Sequence, residues 1–190
     1  NRNLVEAAAK YATVVRLKGG DPMLFGRAQE EIDALARAGV PFEVVPGVTS
    51  ALAASAQIGV SLTRRGVSRS VTLATPRVGE SEDVSDWAPS VAAADTAVLY
   101  MASGQAAEIA RVLQQAGMAG TTPVVIVENA SLPQSRQFGA TLRGLQDEAR
   151  RELHGPALLL LGEVLREHAH QLITEKLMEE GTDSAVVPQE

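Results

Sequence analysis

Two stretches of the chain hold the residues best suited to do chemistry. The first is Lys18-Gly19-Gly20-Asp21-Pro22. It follows Val14, Val15 and Leu17, a short apolar run whose β-branched start suits a buried parallel strand. Consecutive glycines let a backbone take positive φ and let a ligand reach the main chain, while Pro22 lacks an amide donor and holds the exit of the turn. Neither the dinucleotide fingerprint nor the phosphate-loop pattern is present, so the spacing alone is first of all that of an ordinary strand-to-helix turn. The second stretch, Ser61 to Val78, carries Arg64, Arg65, Arg69 and Arg77 and no acid. It is either a solvated face or an anion site. Glu80, Glu82, Asp83, Asp86 and Asp95 follow without a base and are read as a solvated face. His154, His168 and His170 lie late in the chain, away from the glycine pair, and are read as solvated or structural; no metal site is expected.

Composition bounds what these residues serve. The chain has 190 residues, 45% of them hydrophobic, enough for one good core or two small ones. A net charge of −6 argues against a nucleic-acid partner, which a basic face would signal. No apolar run approaches the roughly 20 residues of a membrane span, so no membrane role is expected. The absence of cysteine removes disulfide and thiolate chemistry and points to a reducing cytoplasm.

The elements that position these stretches follow from periodicity. Leu4, Val5, Ala8 and Ala9 lie at helical spacing, and Asn1 is not an initiator residue, so something is expected to precede it. Ala28 to Ala38 forms an amphipathic helix stopped by Gly39. Phe42 to Val45 is the next strand, and Thr49 caps a helix of small residues running to about Ile58. Strand, helix, strand, helix implies a parallel sheet. The pattern pauses around Gly59 to Ser68, where the domain junction is placed. Strands are then expected at Ser70–Thr75, Thr96–Met101, Pro123–Glu128, Gln137–Thr141 and Ala157–Leu161, with helices at Gln105–Ala116 and Leu142–Glu152. Beyond His170 a short helix and a frayed end are expected.

Taken together, VVRLKGGDP, LFGR, Glu30-Glu31, FEVVPGVTSA, LTRRG at Leu62 to Gly66, Tyr100-Met101, Val127 to Asn129 and GPALLLLG at Gly155 to Gly162 resemble the tetrapyrrole methylases, most closely the uroporphyrinogen-III C-methyltransferases. The likeness runs from about Leu4 to about Glu167. It implies a two-domain α/β fold: residues 1–66 as the later part of a parallel-sheet N-terminal domain, 67–168 as a mixed-sheet second domain, 169–190 as a tail, and a donor cleft between the domains. The proton-transfer residues would belong to a preceding segment.

The resemblance further implies S-adenosylmethionine as methyl donor, with S-adenosylhomocysteine as product. Its lining would be Gly19, Gly20, Asp21, Leu24, Thr49, Ser50, Met101, Ala130, Pro156 and Ala157, although Leu24 and Met101, taken without the resemblance, read first as ordinary core packing. The acceptor implied is uroporphyrinogen III, a carboxylate-rimmed macrocycle methylated to precorrin-2 on the route to siroheme and cobalamin. Arg64, Arg65, Arg69 and Arg77, with Lys18 and Arg27, and Arg16 near the loop, are the candidate clamp. The chain departs from the family pattern at Ala130, where glycine is usual, and in FGRAQEE. It departs again at Leu62-Thr63-Arg64-Arg65 and Ala74-Thr75-Pro76-Arg77, each of which replaces a histidine and adds an arginine. Alternatives are a later precorrin methyltransferase, or an inactive donor-binding or oligomer-forming module. Related enzymes also imply a homodimer.

Overall fold

The computed structural model describes residues 1–77, 85–102, 104–148 and 153–183. By compactness the chain divides into two units, Asn1–Ser50 and Ala51–Glu190. The division falls before the Gly66–Val67 junction inferred from the sequence pattern; that junction stays a proposal about the family's domain layout.

The first unit contains α1 (Arg2–Ala8) and α2 (Ala28–Arg37), and the second begins within α3 (Ser50–Ile58). α2 carries Glu30 and Glu31 in its first turn and Arg37 in its last, the charge placement the helix dipole favours, and ends at Gly39 with φ 67°. The strands expected at Val14–Leu17 and Phe42–Val45 are not formed. Both segments run without secondary structure, and Val15 and Leu17 are 80% and 82% exposed. An extended segment becomes a strand only when a neighbour accepts and donates its ladder bonds, and neither segment pairs with any strand among the described residues.

The second unit is built on a five-stranded mixed sheet of β1 (Val71–Ala74), β2 (Thr96–Leu99), β3 (Pro123–Glu128), β4 (Arg136–Thr141) and β5 (Ala157–Gly162), in the order β1-β2-β5-β3-β4. Only β1 and β2 pair in parallel. Alternate strand residues Ala97, Leu99, Val124, Ile126, Leu159 and Leu161 pack on one face with Val91 of α4 (Ala88–Ala93), Ile109 and Leu113 of α5 (Ala106–Gln115) and Leu145 of α6 (Leu145–Glu148). Part of the helix expected at Leu142–Glu152 lies outside the described residues.

The opposite face is covered by α7 (Arg166–Asp183), which is longer than the short terminal helix expected and docks on the sheet. Val125 pairs with both Gly139 and Leu160, so these three share that face. A Cβ at Gly139 would collide with the Ala169 carbonyl oxygen and come within 2.8 Å of the Leu172 Cβ. Cover on both faces is why every residue of β3 and β5 is buried.

This close approach gives a direct test. Gly139→Val should lower stability by about 1–3 kcal/mol, since the helix must lift from β4 to admit the side chain. A shift of the urea midpoint, with faster amide exchange confined to α7 and β4, is the expected result; an unchanged midpoint would show that the helix does not need the gap.

Candidate functional site

In the first unit the glycine pair is shaped by its own neighbours to unequal degrees. Gly20 has φ 114°, and a Cβ there would lie 3.4 Å from the Val48 carbonyl oxygen, so the backbone itself calls for glycine. A Cβ on Gly19 would meet nothing within 4 Å. The open space at Gly19 is what a ligand running against the main chain would need. Asp21 organises the loop: Oδ1 accepts the Met23 N–H at 2.8 Å and Oδ2 accepts the Gly47 N–H at 3.0 Å. Each oxygen keeps a second lone pair for a ligand hydroxyl or ammonium. Gly47 is held so near that its Cβ would stand 2.8 Å from the Gly20 carbonyl oxygen, and this brings Thr49 beside Gly20.

Lys18 is turned inward. Its Nζ donates to the Gly26 carbonyl at 2.7 Å and pairs with Glu31 at 2.7 Å, while Arg16 reaches the other oxygen of Glu31 at 3.1 Å. These two cations, Lys18 foremost, hold the Glu31 carboxyl below its ordinary range. Arg27, in the left-handed region at φ 54°, makes a two-bond fork with Glu30. All three clamp candidates of this unit, Lys18, Arg27 and Arg16, are thus engaged within it and would have to exchange partners to take a carboxylate.

The second unit carries the other candidate residues on turns at strand ends. Met101 follows β2, has φ 54° and is partly exposed, so it is not core. Beside it the Tyr100 hydroxyl accepts the Ala51 N–H at 3.1 Å, in the first turn of α3. Ala130 lies between Asn129 (φ 52°) and Ser131 (φ 67°), and the Ser131 N–H donates to the Gln57 side-chain oxygen at 2.8 Å. Pro156 and Ala157 open β5, where Ala157 pairs with Glu128. Among the described residues, every non-glycine with positive φ lies within three residues of a candidate donor residue. Left-handed backbone in such residues is strained and collects at ligand sites.

Glu128 links the last two turns. It is fully buried; Oε1 accepts the N–H groups of His154 at 2.5 Å and Gly155 at 2.7 Å, and Oε2 accepts Arg136 at 2.6 Å. The Arg136 guanidinium, aided by the two amides, holds this carboxyl below its ordinary range against the opposing effect of burial. Glu128, Tyr100 and Asn129 fall within the motifs Tyr100-Met101 and Val127–Asn129 but are not singled out by the sequence as candidate site residues, and Gln57 has no sequence signal at all. For Glu128 the sequence also offers a carboxylate ending the otherwise apolar run Pro123–Val127.

Within the arginine window residues 62–68 form a folded turn, and Arg77 lies beyond β1. Arg64 and Ser68 bridge antiparallel around Gly66 at φ 79°, and the buried Ser68 hydroxyl bonds to the Leu62 carbonyl at 3.0 Å and to the Thr96 hydroxyl at 2.8 Å. The side chains of Arg64, Arg65, Arg69 and Arg77 stand exposed. Arg64 lies 3.9 Å from Glu167 and borders an open cavity of about 410 Å³ with Ser61, Thr63, His168 and Gln171. His168 bonds Gln137 at 2.9 Å, and burial pushes its pKa down. Asp95 is exposed, as expected of a solvated face, and in addition braces this turn: Oδ2 accepts the N–H of Arg69 at 2.8 Å, the N–H of Ser70 at 3.0 Å and the Ser70 hydroxyl at 3.0 Å. Glu80, Glu82 and Asp83 lie outside the described residues. No group of three or more His, Asp or Glu among the described residues is arranged to hold a metal ion.

Known proteins resemble this chain in sequence and fold. The sequence profile of the Tetrapyrrole (Corrin/Porphyrin) Methylases matches residues 1–146. Siroheme synthase 1 of Serratia proteamaculans is 43% identical over 172 residues, which are 90% of this chain and 36% of that protein. The chain therefore spans about a third of the length of the curated relatives it matches. Among solved structures, uroporphyrin-III C-methyl transferase from Thermus thermophilus complexed with S-adenyl homocysteine is 42% identical with a TM-score of 0.77, covering 87% of this chain and 72% of that one. Cobalt precorrin-4 methyltransferase is 31% identical with a TM-score of 0.69, covering 77% and 62%.

The turn at Asp95 predicts an acid-dependent stability. The bonds from Arg69 and Ser70 lower its folded pKa, so the unfolded chain binds the proton more readily. The stability these bonds supply is complete above the ordinary carboxylate range and is lost as pH falls through the lowered folded value. Asp95→Asn should therefore be less stable than wild type at neutral pH, with the gap in urea midpoint closing in acid. A gap that stays constant with pH would remove the charge from the account.

Proposed function

This chain belongs to the tetrapyrrole methylases, and on that footing we propose that it methylates carbon atoms of uroporphyrinogen III from S-adenosylmethionine, leading to precorrin-2. The observation that carries the reading is its 42% identity to the uroporphyrin-III C-methyl transferase from Thermus thermophilus, solved in complex with S-adenyl homocysteine. The residues fit such a donor in one testable respect: Gly19 leaves a space along the main chain that a side chain would fill.

The donor supplies a methyl group on a sulfonium, a good leaving group. Transfer breaks one carbon–sulfur bond, forms one carbon–carbon bond and releases a proton from the acceptor carbon, so nucleophile, methyl and sulfur must be held nearly in line. In this reading Gly19 and Gly20 offer main chain, Asp21 accepts from the ribose hydroxyls or the ammonium, and Leu24, Thr49, Ser50, Met101, Ala130, Pro156 and Ala157 complete the donor's surroundings. Arg64, Arg65, Arg69 and Arg77, with Lys18 and Arg27 after exchange of partners, take the acceptor's carboxylates; Arg offers planar two-bond pairing that Lys does not. We place the protein in the cytoplasm as a homodimer pairing through its second unit.

Calorimetry with S-adenosylhomocysteine should show binding to the wild type. Gly19→Val should weaken it about tenfold or more by occupying the ligand's space, without strain in the free chain. An exposed ion pair contributes up to about 1 kcal/mol, so Arg64→Ala with Arg65→Ala should raise the acceptor KM about tenfold and leave donor binding alone. Salt should weaken acceptor binding in the same selective way. Turnover of a later precorrin in place of uroporphyrinogen III would move the protein to the alternative acceptor, and donor binding without turnover of either would make it a donor-binding module.

Light scattering at micromolar concentration should report twice the 20.0 kDa chain mass. A single-chain mass would refute the dimer.

A further inference from the structure

Building on the donor reading above, we infer that Glu128 is a positioning residue for the methyl donor: its carboxylate locks the His154–Ala157 turn to the Glu128–Ser131 turn, the two turns that carry Ala130, Pro156 and Ala157. The remainder of β3, Pro123 to Val127, is apolar and buried, and the sixth residue is a carboxylate with no exposure. A well-packed apolar residue in place of a buried ion pair is often neutral or stabilising. Stability alone therefore does not call for a charge here.

The polar atoms of the side chain are aimed at the turns. The amides of His154 and Gly155, the last donors before Pro156, both end on Oε1, and such charge-assisted bonds are short and directional. Arg136 fixes Oε2 at 2.6 Å and lies 5.4 Å from the centre of the Phe138 ring, so the carboxylate cannot rotate without breaking that pair. The main chain adds to the lock. The Glu128 carbonyl accepts the Ser135 hydroxyl at 2.9 Å, and the Asn129 N–H donates to the Pro156 carbonyl at 2.9 Å. The turns approach so closely that a Cβ at Gly155 would collide with the Asn129 amide. A shift of either turn would break several of these bonds together. An in-line displacement is sensitive to misplacement of that order, which makes the lock a device for placing the donor.

The test compares Glu128→Leu, Glu128→Gln and Leu113→Ala. The last is a core truncation in α5, on another element, chosen to lower stability without touching either turn. Calorimetry with S-adenosylhomocysteine gives affinity, and amide exchange at His154 and Gly155 gives the state of the lock. Glu128→Leu should expose both amides to exchange and weaken donor binding about tenfold or more. Glu128→Gln keeps an acceptor for the amides and should stay within about threefold of wild type. Leu113→Ala should change affinity less than about twofold. In steady state, Glu128→Leu should raise the donor KM and leave the acceptor KM in place. Wild-type affinity in Glu128→Leu, or an equal loss in Leu113→Ala, would overturn the inference. Should Glu128→Leu fail to fold, Glu128→Asp, one methylene short of the amides, must show the same loss or the inference falls. Absence of donor binding in the wild type would instead overturn the donor reading and this inference with it, and amide exchange would still show whether the carboxylate holds the turns.

Discussion

The second unit depends on the pairing of β5 with a strand on each side. β5 is wholly buried, and its antiparallel ladders to β2 and β3 satisfy main-chain groups that have no access to water. Its two ends then fix what lies around them. At one end Gly162, with φ 136°, passes so near the start of β2 that a Cβ would stand 2.5 Å from the Asp95 carbonyl oxygen. Asp95 in turn holds the backbone of Arg69 and Ser70. At the other end Ala157 sits opposite Glu128, and the turns bearing Ala130 and Pro156 are brought together there. The arginine-bearing turn and the candidate donor turns thus take their places from opposite ends of one strand.

Most of this unit was legible in the sequence because its local preferences agree with its tertiary setting. Pro123–Glu128 and Gln137–Thr141 are runs whose β-branched and aromatic residues find paired neighbours, and α5 has apolar residues at helical spacing over a real core. Val14–Leu17 and Phe42–Val45 have strand composition too, yet composition cannot supply a partner, and without one each remains an exposed extended segment. The long terminal helix was underestimated for a related reason. Its docking depends on the missing side chain at Gly139 in a distant strand, which no pattern within residues 166–183 reveals.

The candidate site stands out in its motifs, while its bonding does not. Gly19, Gly20 and Asp21 stand out as a loop, but that Gly20 is demanded by the chain while Gly19 is not depends on the position of Val48. Lys18 and Arg27 look like free cations in the sequence and are paired with Glu31 and Glu30 in the structure. Asp95 and Glu128 carry the same formal charge, and their roles differ through non-local partners: one braces an exposed turn, the other is sealed between two turns and an arginine. A sequence reports which residues can ionise; only the fold reports which hydrogen-bond donors surround them.

The placement of β5 also governs the order in which the sheet can assemble during synthesis. β1 with β2, and β3 with β4, are pairs of neighbouring strands that can form soon after their own residues emerge from the ribosome. They cannot become parts of one sheet until residues 157–162 are available, because β5 separates β2 from β3. Until then two half-sheets present unsatisfied edges, and closing them requires contacts as distant in sequence as Thr96 with Gly162. Long-range closure of this kind is slow and leaves sticky intermediates exposed, which makes the late arrival of β5 the step at which a nascent chain has most need of a chaperone.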